Sequence, residues 1–205
     1  MDLYKYENEL YEQGIKYIGG VDEVGRGPLI GPVVTACVVL PKDFILEGLT
    51  DSKKLSEKKR NLFYDYIIQN CVAYAIGMCS AEEIDEINIY EASRVAMIRA
   101  IKEVQTKVPL QHVLVDAMPI SIDIETTSII KGDAKSISIA AASVIAKVTR
   151  DKMMYELDTK YPLYGFGKHK GYPTKQHLEA IHKYGVFEGY RKSYGPIKEI
   201  VEVKK

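Results

Sequence analysis

The feature of the sequence that most restricts its fold is a pair of apolar, β-branched runs near its start. They cover residues 17–21 and 33–40, and the turn between them, residues 25–32, is rich in glycine and proline. Apolar runs with such boundaries are typical of buried β-strands. The chain is therefore predicted to begin its fold with strands rather than with a helical bundle.

Helical patterns and short strand patterns alternate after this pair. Ser56 and Thr174 are predicted to cap two of the helices. Further strands are predicted over residues 72–79, 113–116 and 126–130, helices over 3–14, 56–70, 81–88, 90–106, 135–158, 174–184 and from 196, and a loop over 161–173. This order predicts an α/β fold: a mixed sheet flanked by helices over residues 1–160, and a small, mainly helical C-terminal extension over residues 161–205.

The composition excludes several classes of protein. No apolar run approaches the ~20 residues that cross a bilayer, and the first residues lack a signal-peptide pattern, so we expect a cytoplasmic protein without a membrane partner. The three cysteines, Cys37, Cys71 and Cys79, are predicted to be reduced core residues. Zinc is not expected, because no histidine lies at ligand spacing from them.

The net charge is zero, but the charge is unevenly distributed. Residues 131–205 carry a net charge of +7 and residues 1–130 carry −7. An acidic front and a basic back are suited to binding metal at one place and phosphate at another. A chance asymmetry on a solvated surface is the alternative interpretation.

Four carboxylates are candidates for one metal site. Asp22 and Glu23 follow a strand, Asp116 ends a second strand, and Asp133 precedes a helix. Neighbouring strand residues point to opposite faces, so Asp22 and Glu23 share a site only if the strand ends or bulges there. Clusters of oxygen ligands favour Mg²⁺ or Mn²⁺, and two such ions can clamp a scissile phosphate. The alternatives are a solvated Asp-Glu pair and, for Asp133, a helix N-cap.

Three further segments have features of nucleic-acid contacts. The glycines of Gly25-Arg26-Gly27 allow close approach of backbone to a ligand hydroxyl, although a tight hairpin turn explains them equally. Ser52 and Lys53 precede a helix, as phosphate ligands or as part of a capped surface helix. The segment 168–172 places cations beside Tyr172, a combination that suits a sugar-phosphate backbone.

Taken together, these segments resemble the ribonuclease HII family. The matching blocks occur in the family's order and cover most of the chain from Gly20 to about Tyr194. They are GVDEVGRGP at 20–28 with Gly31-Pro32, DSKKL at 51–55, VLVD at 113–116, KGD at 131–133, IAAAS through AKVTRD at 139–151, and HKGYPT at 169–174.

The resemblance implies a ribonuclease H-like fold and a metal-dependent endonuclease. It implies that Asp22, Glu23, Asp116 and Asp133 bind two Mn²⁺ or Mg²⁺ ions. It also implies cleavage on the 5′ side of ribonucleotides in DNA duplexes and of the RNA strand in RNA–DNA hybrids, leaving 3′-hydroxyl and 5′-phosphate ends. Such an activity belongs to ribonucleotide excision repair. The substrate-binding residues implied are Gly25, Arg26, Gly27, Ser52, Lys53, Lys147 and Tyr172.

Within this resemblance, Gly25-Arg26-Gly27 reads the ribose 2′-hydroxyl, and Tyr172 packs on the neighbouring deoxyribose. One departure concerns Tyr190, which stands before Arg191 where the family often has histidine, and it puts a C-terminal substrate contact in doubt. Only 21 residues precede Asp22, which favours HII over ribonuclease HIII with its extra N-terminal domain. We expect a monomer.

Two other functions remain open at this point. Another nuclease on the same core, such as a junction resolvase or a hybrid-only ribonuclease H, would keep the carboxylates but would not need a reader of the 2′-hydroxyl. A duplex-binding protein without catalysis would bind nucleic acid independently of metal.

Overall fold

The computed structural model describes residues 3–202, which form a five-stranded sheet surrounded by helices. The predicted mixed α/β architecture is confirmed. Short 3₁₀ turns at Ser52–Lys54 and Gly132–Ala134 precede α2 and α4. The elements are α1 (Lys5–Glu12), β1 (Ile18–Val24), β2 (Val33–Val39), α2 (Glu57–Asn70), β3 (Ala73–Cys79), α3 (Ala81–Gln105), β4 (His112–Asp116), β5 (Glu125–Ile129), α4 (Ile137–Lys160), α5 (Phe166–His169), α6 (Lys175–Tyr184) and α7 (Gly195–Glu202).

The strand order β3-β2-β1-β4-β5 places the first strand, β1, at the centre of the sheet. The β1–β2 and β2–β3 pairs are antiparallel, whereas β1–β4 and β4–β5 are parallel. The parallel register pairs Val21 with Val115. The next residue of each strand is an aspartate, so Asp22 and Asp116 reach the same end of the sheet.

The two faces of the sheet are covered by different helices. Val21 and Cys37 pack with α3 on one face, while Ala36 and Val38 pack with α4 and α2 on the other. This division follows from the alternation of side chains along each strand. Asp22 lies opposite Ala36 in the register and therefore belongs to the α4 face.

Glycines allow the helices to approach the sheet closely. A Cβ atom on Gly20 would lie 2.1 Å from the backbone carbon of Ser138, and one on Gly77 would lie 2.0 Å from the carbonyl oxygen of Ala96. Both clashes are with helix backbone, which cannot rotate away as a side chain can. The first fixes the start of α4 beside β1, and the second fixes α3 against β3.

The N-terminal helix is tied to the start of α4 by a buried carboxylate. Glu7 Oε1 accepts hydrogen bonds from Ser136 Oγ at 2.5 Å and from Ser138 N at 3.0 Å. Burial raises the pKa of Glu7 although these hydrogen bonds oppose the rise. The helix N-terminus provides orphan N–H donors for this carboxylate.

Most predicted elements are confirmed with shifted ends, and Ser56 and Thr174 are N-caps as predicted. One expectation is wrong, one is confirmed and one alternative is excluded. The predicted loop 161–173 contains helix α5, because four residues still close one helical turn there. The two helices expected at 81–88 and 90–106 are confirmed: they make up α3, which is kinked between them at Asn88, where the backbone is non-helical with φ 66°. The N-cap of α4 is Ser136, so Asp133 does not have the capping role.

Within residues 3–202, no helix is long and apolar enough to cross a membrane. The three cysteines are unpaired in this part of the chain: Cys37 and Cys79 are buried, while Cys71 is only partly buried. Helix α4 ends at Lys160. The division into residues 1–160 and 161–205 stays a prediction.

We expect Gly77→Ala to lower the free energy of unfolding by about 3 kcal/mol or more, because the added methyl would overlap the backbone of α3. Gly195→Ala is the matched control: its Cβ meets nothing within 4 Å, and a change within about 0.5 kcal/mol is expected. Urea denaturation of both variants measures the difference. Equal stabilities would show that α3 is not packed against β3 in this way.

Candidate active site

Asp22 and Glu23 lie at the end of the central strand. Strand β1 continues regularly through Val24 without a bulge. It therefore ends one residue after Glu23, close to the end that a site shared by Asp22 and Glu23 requires. Both residues line one cavity of about 310 Å³. Asp22 Oδ1 accepts a hydrogen bond from Glu23 N at 2.8 Å, and Glu23 Oε1 lies 3.5 Å from Arg26 Nη1.

Asp116 and Asp133 border this pair from the neighbouring strand and from the turn before α4. Asp116 Oδ1 accepts a hydrogen bond from Gly132 N at 2.6 Å, which holds the turn against the end of β4. Neither Asp116 nor Asp133 lines the cavity itself. Their charges nevertheless act on Asp22, so the structure brings all four predicted carboxylates into one electrostatic neighbourhood.

The pKa values of three of these carboxylates are raised, because the groups are buried and lie near other negative charges. Burial raises the pKa of Asp22 well above its usual value, and the charges of Glu23, Asp116 and Asp133 raise it further. Burial also raises the pKa of Glu23, with Asp116 adding to the rise and Arg26 opposing it. The pKa of Asp133 is raised by burial and then by Asp51 and Asp116. Burial and mutual repulsion both disfavour the charged forms.

This donor set fits a hard divalent cation. It contains only oxygen atoms, and Glu23 Oε2 is buried without a hydrogen-bond partner in residues 3–202. A cation would offset both the repulsion and this unpaired atom. In the same part of the chain, no three His, Cys, Asp or Glu side chains are already grouped closely enough to hold an ion. Side-chain movement toward the ion is therefore required.

Hydroxyl, cationic and aromatic groups form much of the remaining wall of the cavity. Most of them belong to the turn before α2, to α2 and to one face of α4, where Ser143 and Lys147 are one turn apart, and Tyr172 follows α5. Ser143 Oγ donates to Ser52 Oγ at 2.7 Å, which joins the two elements. The lining residues on this side are Ser52, Lys53, Arg60, Ser143, Lys147 and Tyr172.

Lys53 faces the carboxylates directly. Burial lowers the pKa of this amine, but the charges of Asp22, Asp51 and Asp133 outweigh burial, so the net shift is upward. Lys53 N also donates to Asp51 Oδ1 at 2.9 Å, which fixes the turn. The Lys53 amine is thus kept charged beside the acidic groups, where it is positioned to bind a phosphate that lies between them.

A buried aspartate on α4, Asp151, binds two of the cations that line the cavity. Asp151 accepts a hydrogen bond from Lys147 Nζ at 2.5 Å, and its second oxygen lies 3.8 Å from Arg60 Nη2. Arg60 Nη1 donates to the carbonyl oxygen atoms of Ser52 and Leu55 at 2.7 and 3.2 Å. This network fixes the Ser52 turn on α4.

Two buried arginines shape the turn between β1 and β2. Arg191 donates to the carbonyl oxygens of Gly25, Arg26 and Gly31 at 2.6, 2.9 and 3.0 Å. The carbonyl oxygens of Gly25 and Arg26 therefore already accept hydrogen bonds from Arg191. They are less available to a ligand hydroxyl than the carbonyl oxygens of an unsupported turn.

Arg150 completes this support from α4. It donates to the carbonyl oxygens of Ile30, Pro32 and Lys170, at 3.1, 3.2 and 2.9 Å. Gly25 has φ +91°, and a Cβ there would lie 2.3 Å from Arg150 Nε. Glycine at this position satisfies both the backbone conformation and the close approach of the guanidinium.

Tyr172 stands next to this turn. A Cβ on Gly27 would lie 3.1 Å from Tyr172 Cε1, so the ring packs on the glycine backbone. The ring also lines the cavity and keeps 41% of its surface exposed. The structure thus places Tyr172 beside the Gly-Arg-Gly turn, although the two segments are far apart in sequence.

Sequence reasoning missed several of these residues. Arg60, Arg150, Asp151 and Arg191 carry charges in buried positions, and no local pattern marks them. One signal was available for Arg150 and Asp151, which lie in the apolar, alanine-rich segment that forms α4. Charges at that place in the sequence indicate paired buried groups rather than solvated ones.

Comparison with known proteins agrees with this geometry. The family model described as Ribonuclease HII matches residues 19–194. A curated ribonuclease HII of Bacillus cytotoxicus is 58% identical over 204 residues, covering 100% of this chain and 78% of the relative.

Two solved structures share the fold. Ribonuclease H2 of Pyrococcus horikoshii OT3 has a TM-score of 0.76 at 28% identity, covering 91% of this chain and 98% of that one. Bst-RNase HIII in complex with Mn²⁺ has a TM-score of 0.72 at 16% identity, covering 95% and 72%, a likeness that concerns the fold alone. By its sequence and its fold, the chain belongs to the ribonuclease HII family of metal-dependent endoribonucleases that act on RNA–DNA substrates.

Proposed function

We propose that this protein cuts the phosphodiester on the 5′ side of ribonucleotides embedded in DNA duplexes, and the RNA strand of RNA–DNA hybrids. The observation that carries the proposal is the packing of Tyr172 on Gly27 beside Asp22 and Glu23. A ribose reader directly beside the carboxylates lets one ribonucleotide be recognised and cut in the same place. The products have 3′-hydroxyl and 5′-phosphate ends.

Asp22, Glu23, Asp116 and Asp133 would hold two Mg²⁺ or Mn²⁺ ions. When bound, such ions supply a nucleophile from water and stabilise the charge that develops on the leaving oxygen. The four residues contribute oxygen ligands whose own repulsion favours cation binding. Because the carboxylates lie at the end of the sheet, the phosphate can approach from the open side of the cavity.

The basic wall positions the substrate backbone. Lys53 and Lys147 place positive charge in the wall of the cavity that Asp22 and Glu23 also line, and Ser52 adds a hydroxyl. Contacts of this kind fix the register of a nucleic acid without reading its bases. We propose that they hold the scissile phosphate and its neighbour while the carboxylates face the bond to be cut.

The turn from Gly25 to Gly27 and Tyr172 test the sugar. The glycine backbone can approach a 2′-hydroxyl closely, and the aromatic ring can pack on the deoxyribose next to it. We propose that Arg26 also contacts substrate, because its side chain is half exposed beside Glu23. The C-terminal residues 161–205 form the substrate-binding part in this scheme, and the protein acts as a monomer.

A hybrid-only ribonuclease is the alternative that keeps the same carboxylates. The contact between Gly27 and Tyr172 argues against it, because a reader of an RNA–DNA junction has no use in such an enzyme. The discriminating substrate is a DNA duplex with one ribonucleotide.

The first expected result is metal-dependent cleavage of that duplex 5′ to the ribonucleotide, with all-DNA duplex left intact. Asp22→Asn should reduce the rate by about 10³-fold, because one ion loses a ligand at the reacting phosphate. Asp65→Asn, at an exposed position on α2, is the matched control and should keep the wild-type rate. Gel analysis in Mg²⁺, Mn²⁺ or EDTA measures both. Near-normal cleavage by Asp22→Asn would refute the ligand assignment.

The raised pKa values also predict how metal stabilises the fold. Asp22, Glu23 and Asp133 hold protons more tightly in the folded state than in the unfolded chain, so their stabilising contribution is present below about pH 4 and is lost as pH rises through their folded values. Mn²⁺ competes with these protons. The Mn²⁺-induced rise in Tm should therefore increase from pH 5 to pH 8.

Calorimetry in Mn²⁺ and in EDTA at each pH measures this rise. The Asp22→Asn variant should show a smaller rise at pH 8, because it has one fewer carboxylate to be neutralised. A rise in Tm that does not depend on pH would contradict the assignment of these carboxylates as ligands.

A third expectation concerns ribose reading. Tyr172→Ala should lower the rate on the single-ribonucleotide duplex by about 10-fold, since packing of an aromatic ring on the substrate is lost. Tyr172→Phe, which keeps the ring, should stay near wild type. Tyr184→Ala removes a ring of similar exposure away from the cavity and should have no effect. An unchanged single-ribonucleotide rate for Tyr172→Ala would remove its reading role.

A further inference from the structure

Two buried histidines hold the backbone around Tyr172. His169 accepts through its carbonyl oxygen from Tyr172 N at 2.9 Å and through Nδ1 from Gly171 N at 3.2 Å. His177 Nδ1 lies 2.9 Å from the carbonyl oxygen of Tyr172. The two imidazole rings are stacked with centroids 4.3 Å apart. The exposed ring of Tyr172 thus projects from a backbone whose polar groups are bonded to these histidines.

The hydrogen bonds of His177 define its tautomer. A carbonyl oxygen can only accept, so Nδ1 of His177 must carry the proton that bonds Tyr172 O. Burial lowers the pKa of His177 to about 4, so the ring is neutral near pH 7 and Nε2 is an acceptor. The group that faces Nε2 is Tyr190 Oη at 3.0 Å, which therefore donates its proton.

Tyr190 is itself fixed in the protein. Its side chain is 2% exposed, and its backbone forms a bridge with Ile30 in the turn between β1 and β2. The next residue, Arg191, binds the carbonyls of that turn. The segment that contains Tyr190 and Arg191 therefore contacts both halves of the proposed ribose reader.

We propose that Tyr190 is a positioning residue for selectivity: its hydroxyl donates to Nε2 of His177 and so anchors the ring whose Nδ1–H holds the backbone of Tyr172 at the RNA–DNA junction. This inference rests on the proposed role of Tyr172. It assigns a function to the position where this chain departs from the histidine common in the family. Tyr190 itself does not line the cavity and acts only through His177 and Tyr172.

The hydroxyl, and not the ring alone, carries this role. Phenylalanine would fill nearly the same volume between Ile30 and His177. It would leave His177 Nε2 buried without a donor, so the ring would lose the anchor that holds its Nδ1–H against Tyr172 O. This loss loosens the segment from Gly171 to Tyr172 while the aromatic core around Phe166 remains packed.

The test compares Tyr190→Phe with Tyr164→Phe. Tyr164 lies in the same aromatic cluster and is also buried, but its hydroxyl donates to Gly185 O rather than to His177. Tyr190→Phe should lower kcat/KM on the single-ribonucleotide duplex by about 3- to 10-fold, the worth of one buried hydrogen bond. Its activity on a long RNA–DNA hybrid should change less. Tyr164→Phe should keep the wild-type ratio between the two substrates.

A double-mutant cycle separates positioning from general loss of stability. Adding Tyr190→Phe to Tyr172→Ala should cause no further loss of selectivity, because the ring that Tyr190 positions is already absent. Nitrogen-15 NMR of the histidines gives a second readout: the Nε2 resonance of His177, which accepts from the Tyr190 hydroxyl in the wild type, should shift in Tyr190→Phe because this hydrogen bond is lost.

The outcomes distinguish the two proposals. If Tyr172→Ala loses selectivity but Tyr190→Phe does not, or if their effects add, the inference about Tyr190 is wrong and the proposed function stands. An unchanged Nε2 resonance of His177 in Tyr190→Phe would also overturn the inference. If Tyr172→Ala itself keeps wild-type selectivity, the reading role of Tyr172 fails, and the role of Tyr190 fails with it.

Discussion

The close contact between Gly20 and the backbone of Ser138 is the constraint on which the rest of the site depends. Because no side chain separates β1 from the start of α4, the turn that carries Asp133 lies beside the end of the strand that carries Asp22. The same contact fixes the direction of α4 across the sheet. Ser143 and Lys147, which follow Ser138 along the same helix, consequently line the cavity as well.

The fold shows how the chain combines acidic and basic groups in a small volume. The carboxylates gather where two parallel strands end, and their repulsion is left largely uncompensated by the protein. Lys147 of α4 and Arg60 of α2 instead share one buried partner, Asp151, so the positive charge on this side exceeds the negative charge. This separation leaves the acidic side attractive to metal and the basic side available to phosphate. Functional sites commonly retain such destabilising charge because the ligand supplies the missing partner.

Much of this arrangement was predictable from sequence. Apolar, β-branched runs indicated the strands, and the acidic residues at the ends of β1 and β4 indicated the carboxylates. The positions of Asp133 and Tyr172 depended on the family resemblance, because local sequence allowed an N-cap and a plain loop equally well. The roles of Arg150, Arg191 and Tyr190 were not predictable, since their hydrogen bonds join segments up to 166 residues apart. Periodicity within a segment carries no information about such long-range contacts.

The buried guanidinium groups have a consequence for how this enzyme can be altered. Arg150 and Arg191 bind the loop between β1 and β2 through its carbonyl oxygens and not through its side chains. The backbone shape of the loop is therefore fixed by residues outside the loop and depends little on the loop's own exposed side chains. Exposed positions such as Arg26 are thus suitable for randomisation in directed evolution, because variants there can change substrate preference while inheriting an intact backbone geometry.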